Sequence, residues 1–216
     1  MTKLIIFDLD GTLLDTSRDI HKSLNDTLKS YGVPEISLEN TLKFVGNGAR
    51  KLIERALGEN YAHLLESVYK DYLVNFAGCG NALTSLYGYE SEALKNFAAA
   101  GVKFAIVTNK PQDATDIVCA QYLSEFGFEL IVGQCDGAPL KPDPSSTLEI
   151  INKLAVEKEN CLFVGDGETD IATARAAGIK CISALWGYRS RKQLEEAGGK
   201  TFASDFRQLE KMVLEF

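Results

Sequence analysis

Two acids separated by one residue, Asp8 and Asp10, end the apolar run Ile5-Ile6-Phe7 and lead into Gly11-Thr12-Leu13-Leu14-Asp15-Thr16. Residues two apart on a strand point the same way, so a buried strand emerging here would present both carboxylates to one pocket. Such a pair is a reaction centre in outline. One carboxylate can attack a phosphorus atom while its neighbour hands a proton to the leaving oxygen, provided a cation holds the crowded negative charges together. The competing readings are an acidic turn after a strand and a calcium loop. Calcium fails on spacing: counted from Asp8, the sixth residue is Leu13 where a loop Gly is needed, and the twelfth is Asp19 rather than Glu.

Positioning these acids requires a strand, and the rest of the chain supplies more of them. From Lys103 onward, apolar runs of strand length at 104–107, 130–132, 162–164 and 179–183 alternate with amphipathic stretches of helix length. That rhythm predicts an α/β fold, a doubly wound, Rossmann-like parallel sheet with helices on both faces. Sheets of this kind place ligands at the carboxyl ends of their strands, and Asp8, Thr108 and Asp166 each follow a run immediately. Between Thr16 and about Asn81 the pattern is helical only. Ile20, Leu24, Leu28 and Tyr31 recur at helical spacing, and a stripe from Tyr61 through Val68 and Tyr72 to Phe76 marks one face of a long helix. The expected organisation is therefore a core of residues 1–15 and 81–216 and an inserted all-α cap of residues 16–80. Hinges are expected near Thr16 and at Gly78 to Asn81. The aromatic stripe is read as core packing.

The chain has 216 residues, 45% of them hydrophobic, enough for one sizeable core and a small accessory unit. Its 23 basic and 30 acidic residues give a net charge of -7 with no Lys/Arg cluster, so nucleic acid and anionic membranes are not expected partners. No apolar stretch approaches the roughly 20 residues of a membrane span, and the N-terminus lacks a signal-peptide layout. The five cysteines include no C-x-x-C pair, which suits reduced thiols and a cytoplasmic location; Cys161 and Cys181 read as core packing.

Four segments together carry a family resemblance. Asp8-Leu9-Asp10-Gly11-Thr12 resembles the first motif of haloacid dehalogenase-like phosphatases, Thr108-Asn109 the second, Lys141 before Pro142-Asp143-Pro144 the third, and Gly165-Asp166-Gly167-Glu168-Thr169-Asp170 the fourth. Within that family, Val45-Gly46-Asn47-Gly48-Ala49-Arg50 and Leu185-Trp186-Gly187-Tyr188 look most like phosphoglycolate phosphatases. Gly167 stands where relatives often carry Ser, and residues 86–89 lack their usual Pro.

The resemblance implies Asp8 as nucleophile, forming an aspartyl-phosphate, and Asp10 as general acid and then base. It implies Gly11, Thr108, the Asn109 N–H and Lys141 as the grip on the phosphoryl group. Pro111 is read as opening a helix whose N-terminus helps that grip. Four acids against one lysine leave the site strongly negative, since neighbouring carboxylates at 4 Å repel by about 4 kcal/mol at an effective dielectric near 20. A hard cation relieves this. Mg2+ is the usual ion where carboxylates meet phosphates, and the expected ligands are Asp8, Asp166, the main-chain carbonyl of Asp10 as in relatives, and Asp170 either directly or through a metal-bound water. Gly46, Asn47 and Gly48 are expected to face the site, with Arg50 meeting an anionic end of the substrate.

The expected partner is a small phosphorylated metabolite, best 2-phosphoglycolate, acted on by a monomer or homodimer. A phosphosugar mutase, a pyrophosphatase and a non-catalytic phosphate-binding regulator are the alternatives. Mutases of the family carry a cap His twelve residues after the nucleophile, where this chain has Ile20 with His21 one beyond.

Overall fold

Leu4, Ile5, Ile6 and Phe7 are all fully buried, which a strand achieves only when both of its faces are covered. The computed structural model, which describes residues 2–214, places this strand, β1 (Leu4–Phe7), inside a six-stranded parallel sheet. The other strands are β2 (Leu14–Asp15), β3 (Ser85–Leu86), β4 (Lys103–Pro111), β5 (Leu130–Gln134), β6 (Cys161–Gly165), β7 (Lys180–Ala184) and β8 (Phe202–Ala203). The sheet order is β5-β4-β1-β6-β7-β8, while β2 and β3 form a separate antiparallel ribbon. Phe7 lies opposite Ile106 of β4 and Val164 of β6, so Asp8, Thr108 and Asp166 all emerge at the same edge of the sheet. The doubly wound arrangement expected from the alternating pattern is thus observed, with Phe7, Phe97, Phe104 and Phe206 packed on one face and Ile6, Ala105 and Phe163 on the other.

Between β2 and β3 run four helices, α1 (Ser17–Ser30), α2 (Leu38–Phe44), α3 (Ala49–Leu57) and α4 (Leu65–Ala77). They bury Leu24, Leu28, Ile53, Val68, Tyr72 and Phe76 in a cluster of their own. Tyr31 falls just outside α1, because Gly32 at φ 68 turns the chain and Val33 N–H bonds back to the Leu28 carbonyl at 3.0 Å. Tyr61 and Leu64 likewise precede α4, in a turn and a short 3-10 segment, so the aromatic stripe spans two elements rather than one helix. Within α4 itself Val68, Tyr72 and Phe76 are the buried residues, as core packing requires. The chain leaves and re-enters through the β2–β3 ribbon, and Asp19 Oδ2 ties that junction by accepting from Leu83 N–H at 3.0 Å and the Thr84 hydroxyl at 2.7 Å.

The remaining helices, α5 (Glu90–Ala99), α6 (Gln112–Tyr122), α7 (Ser145–Leu154), α8 (Glu168–Ala177), α9 (Arg191–Glu196) and α10 (Phe206–Leu214), all follow β3 in the chain, α10 coming after β8. Among the described residues no helix is long and apolar enough to cross a membrane.

Candidate active site

At the end of β1 the Asp8 N–H still bonds to the Val164 carbonyl at 2.9 Å, so the acid sits at a fixed point on the sheet edge. Beyond β6 comes Asp166, and the first turn of α8 supplies Asp170. Carboxylate oxygens of Asp8, Asp166 and Asp170 all lie within 4.8 Å of one another. Two glycines permit this closeness. A Cβ on Gly11, whose φ is +88, would come within 2.5 Å of Asp166 Oδ2, and one on Gly187 within 2.2 Å of Asp166 Cβ.

Each acid is held by a different partner set. Asp166 accepts from the Thr12 hydroxyl at 2.9 Å and from Tyr188 N–H at 2.7 Å. Asp170 accepts from Gly167 N–H at 2.9 Å and from Lys141 Nζ at 2.6 Å. The Lys141 ammonium also lies 2.8 Å from Asp8 Oδ1, with its side chain 2% exposed. Burial pushes the Asp8 carboxyl up to about 6, Lys141 pulling down and Asp170 pushing up. Burial, joined by the Asp8 and Asp170 charges, pushes Asp166 up to about 7. Burial works against the Lys141 ammonium, yet Asp170 and Asp8 outweigh it and hold its pKa above the usual lysine range.

The donor set fits a hard divalent cation. It is all oxygen, it carries excess negative charge, and the Asp8 Oδ1 atom is buried without a directed hydrogen bond despite the nearby ammonium. The Asp10 carboxylate is not part of the cluster. It lines the same cavity as Asp8, but its Oδ1 accepts from the Thr16 hydroxyl at 2.7 Å and from Lys110 Nζ at 2.8 Å.

Lys110 was not foreseen among the site residues. Its side chain is 2% exposed and its ammonium lies 4.4 Å from the centre of the Phe76 ring. The available signal was its position two residues after Thr108 on an extended strand, which puts both on one face. Thr108 is buried on the cavity wall, its Oγ1 accepting the Lys110 N–H at 3.2 Å. The helix expected to open at Pro111 is observed: Pro111 is the residue immediately before α6, which starts at Gln112, and β4 runs up to it in extended structure with a register shift after Val107. The Asn109 side chain clamps the Lys141 main chain, accepting from its N–H at 2.8 Å and donating to its carbonyl at 3.0 Å, and donates to the Gly46 carbonyl at 2.9 Å.

On the helical side, Gly46 and Gly48 line the cavity, whereas Asn47 and Arg50 do not. Ala49, Leu52 and Ile53 supply the buried face of α3, and position 50 falls a turn-fraction away on the outside. There the Arg50 guanidinium pairs with Glu66 and lies 5.6 Å from the centre of the Tyr69 ring. Asn47 turns to Arg55, accepting at 2.8 Å from Nη2. The expectation that Arg50 and Asn47 meet the substrate is therefore corrected. Arg189, also unforeseen, braces this loop by donating to the Leu42 carbonyl at 2.7 Å and the Val45 carbonyl at 2.6 Å while paired with Glu168. Ile20 lines the cavity, and His21 faces α2, with Nδ1 2.9 Å from the Thr41 hydroxyl.

A parallel α/β sheet whose strand ends gather three carboxylates around a buried lysine, with a further acid lining the same cavity as Asp8, places these groups where sheets of this kind bind their ligands. Residues 5–184 match the description of the haloacid dehalogenase-like hydrolases. Phosphoglycolate phosphatase 1 of Pseudomonas aeruginosa is 31% identical over 97% of this chain and 79% of its own length. The phosphoglycolate phosphatase of Aquifex aeolicus is 37% identical over 86% of each chain. Among solved structures, a candidate phosphoglycolate phosphatase from Lactobacillus delbrueckii subsp. bulgaricus superposes with a TM-score of 0.93 at 28% identity, covering 99% of both chains. The chain belongs to the haloacid dehalogenase-like hydrolases and, within them, to the phosphoric monoester hydrolases that resemble phosphoglycolate phosphatases.

Proposed function

We propose that the protein is a Mg2+-dependent phosphatase of small phosphorylated metabolites, with 2-phosphoglycolate as the best substrate, and that it works through an aspartyl-phosphate on Asp8. The observation that supports this most is the division of labour between two acids only two residues apart. Asp8 stands among Asp166, Asp170 and Lys141, while Asp10 is held away by Thr16 and Lys110. A nucleophile needs to stand beside the cations that hold the transferring group, and Asp8 lies 2.8 Å from the Lys141 ammonium and within the carboxylate cluster. A general acid needs to reach the leaving oxygen, and Asp10 lines the same cavity as Asp8.

In the proposed reaction Asp8 attacks phosphorus, the bond from phosphorus to the leaving oxygen breaks, and that oxygen takes a proton from Asp10. Asp10, now ionised, takes a proton from the water that hydrolyses the aspartyl-phosphate. Thr108, Lys141 and the main-chain N–H of Asn109 hold the phosphoryl oxygens, whereas the Gly11 N–H expected to join them is bonded to the Leu14 carbonyl at 2.8 Å, and Gly11 serves instead to leave room beside Asp166. Asp8, Asp166, Asp170 and the Asp10 carbonyl would hold Mg2+, which when bound neutralises the carboxylates and stabilises charge on the transferring group.

The proposed organisation keeps residues 1–15 and 81–216 as the catalytic core and 16–80 as a cap that closes over the leaving group, in a cytoplasmic protein that is a monomer or homodimer. The space between them open to the centre of a water molecule is ≈ 50 Å³. Ile20 rather than His21 on the cavity wall speaks against a sugar mutase. The test is turnover of 2-phosphoglycolate and an aryl phosphate with and without Mg2+, with acid-quenched enzyme searched by mass spectrometry for phosphate on Asp8. Inertness toward both esters in the presence of Mg2+ overturns the proposal.

A further inference from the structure

We infer that Lys110 is the specificity residue of this site, its ammonium receiving a carboxylate-sized second anionic group on the leaving-group side of the phosphomonoester. The inference rests on the phosphatase reading and names the feature of the substrate that the cavity selects.

Lys110 is the one cation among the described residues that line the cavity. Lys141 is spent on Asp8 and Asp170, and Arg50 points away to Glu66. The helical wall opposite, including Ile20, Leu52, Tyr72 and Phe76, carries no charge. A leaving group with its own negative charge therefore has a single place to go.

The ammonium is also equipped for such a contact. Its three N–H donors meet one carboxylate oxygen, Asp10 Oδ1 at 2.8 Å, and the face of the Phe76 ring at 4.4 Å, which leaves a donor uncommitted. The side chain is 2% exposed, so it is already stripped of most of its water and a charge-assisted bond made there is stronger than at a surface. Its geometry fits the chemistry as well. Because Lys110 touches the proposed general acid, an anion drawn to it is placed next to the group that must protonate the leaving oxygen, which is the relation between the carboxylate and the ester oxygen of a two-carbon hydroxy acid.

A simpler role is open to Lys110: holding Asp10 in place and nothing more. The two roles separate when the leaving group changes charge but not size. The experiment measures kcat and KM of wild type, Lys110→Met and Lys110→Gln on 2-phosphoglycolate and on 2-hydroxyethyl phosphate, in which a hydroxymethyl group replaces the carboxylate. Recognition predicts that wild type prefers the carboxylate and that both variants lose about 10- to 150-fold more kcat/KM on phosphoglycolate than on the hydroxyethyl ester. An equal loss on both esters assigns Lys110 to positioning Asp10 and overturns the inference. Should both variants fail to fold, the wild-type comparison still decides, since equal kcat/KM for the two esters overturns it. If wild type hydrolyses neither these esters nor an aryl phosphate, the phosphatase reading itself has failed. Hydrolysis of the aryl phosphate without preference for the carboxylate leaves that reading standing and removes this one.

Discussion

The Thr12 hydroxyl donates a 2.9 Å hydrogen bond to Asp166 Oδ1, joining two loops 154 residues apart in the chain. With Tyr188 N–H on Oδ2, this fixes the orientation of the carboxylate. Supports of this kind set the affinity of the ion their partner would bind. Thr12→Val, nearly isosteric at a fully buried position, should raise the Mg2+ concentration for half-maximal activity about 10- to 100-fold. A Mg2+ titration of activity checks this, and an unchanged midpoint contradicts it.

Asp8→Asn keeps the side chain's size but removes its nucleophilicity and its charge, so it should abolish turnover while far-UV circular dichroism stays native. Asp10→Asn should cost about 10²- to 10⁴-fold in kcat, most for alkyl phosphates, whose poor leaving groups depend on protonation. Equal losses on alkyl and aryl esters would remove Asp10 from the role of acid.

Lys141 stands between two buried carboxylates. Lys141→Met should leave Asp8 and Asp170 without their cation and destabilise the protein by about 3–5 kcal/mol, read from urea unfolding of the metal-free protein. A change below about 1 kcal/mol would show that the acids relax without it.

The exposed pairing of Arg50 with Glu66 leads to the opposite expectation. Arg50→Ala should leave the ratio of kcat/KM for 2-phosphoglycolate and an aryl phosphate unchanged and shift stability by no more than about 1 kcal/mol. A selective loss on phosphoglycolate would return Arg50 to the substrate.

Glu90 is fully buried at the start of α5, its Oε2 accepting Tyr87 N–H at 3.0 Å and its Oε1 without a partner. Burial, eased by that one N–H, pushes its carboxyl from the ordinary 4.5 up to about 8. Between these pH values the folded protein keeps a proton that the unfolded chain releases, so this group's contribution to stability is full below about 4.5 and is lost as pH rises toward about 8. Glu90→Gln carries no such dependence. Thermal melts should show the variant gaining on wild type by on the order of 3 kcal/mol between pH 5 and pH 8, and a pH-independent difference would contradict the assignment.

Much of the active edge is legible in the chain because it depends on local order. Asp8, Thr108 and Asp166 each follow an apolar run, and a parallel sheet brings the ends of its strands to one edge whatever the intervening sequence. The helical unit is equally legible from its period, although Tyr31, Tyr61 and Leu64 fall outside the helices where turns interrupt the pattern.

Other features were decided by tertiary packing. Arg50 and Lys110 illustrate the difference. In sequence, Arg50 after a glycine loop looks like a substrate contact, whereas nothing singles out Lys110. The rotation of α3 turns Arg50 outward, whereas the extension of β4 to Pro111 turns Lys110 inward against Asp10 and Phe76. Residue type and spacing determine which side chains can share an element's face. Which face meets the cavity is set by how whole elements pack, a sum of many contacts that no single motif contains.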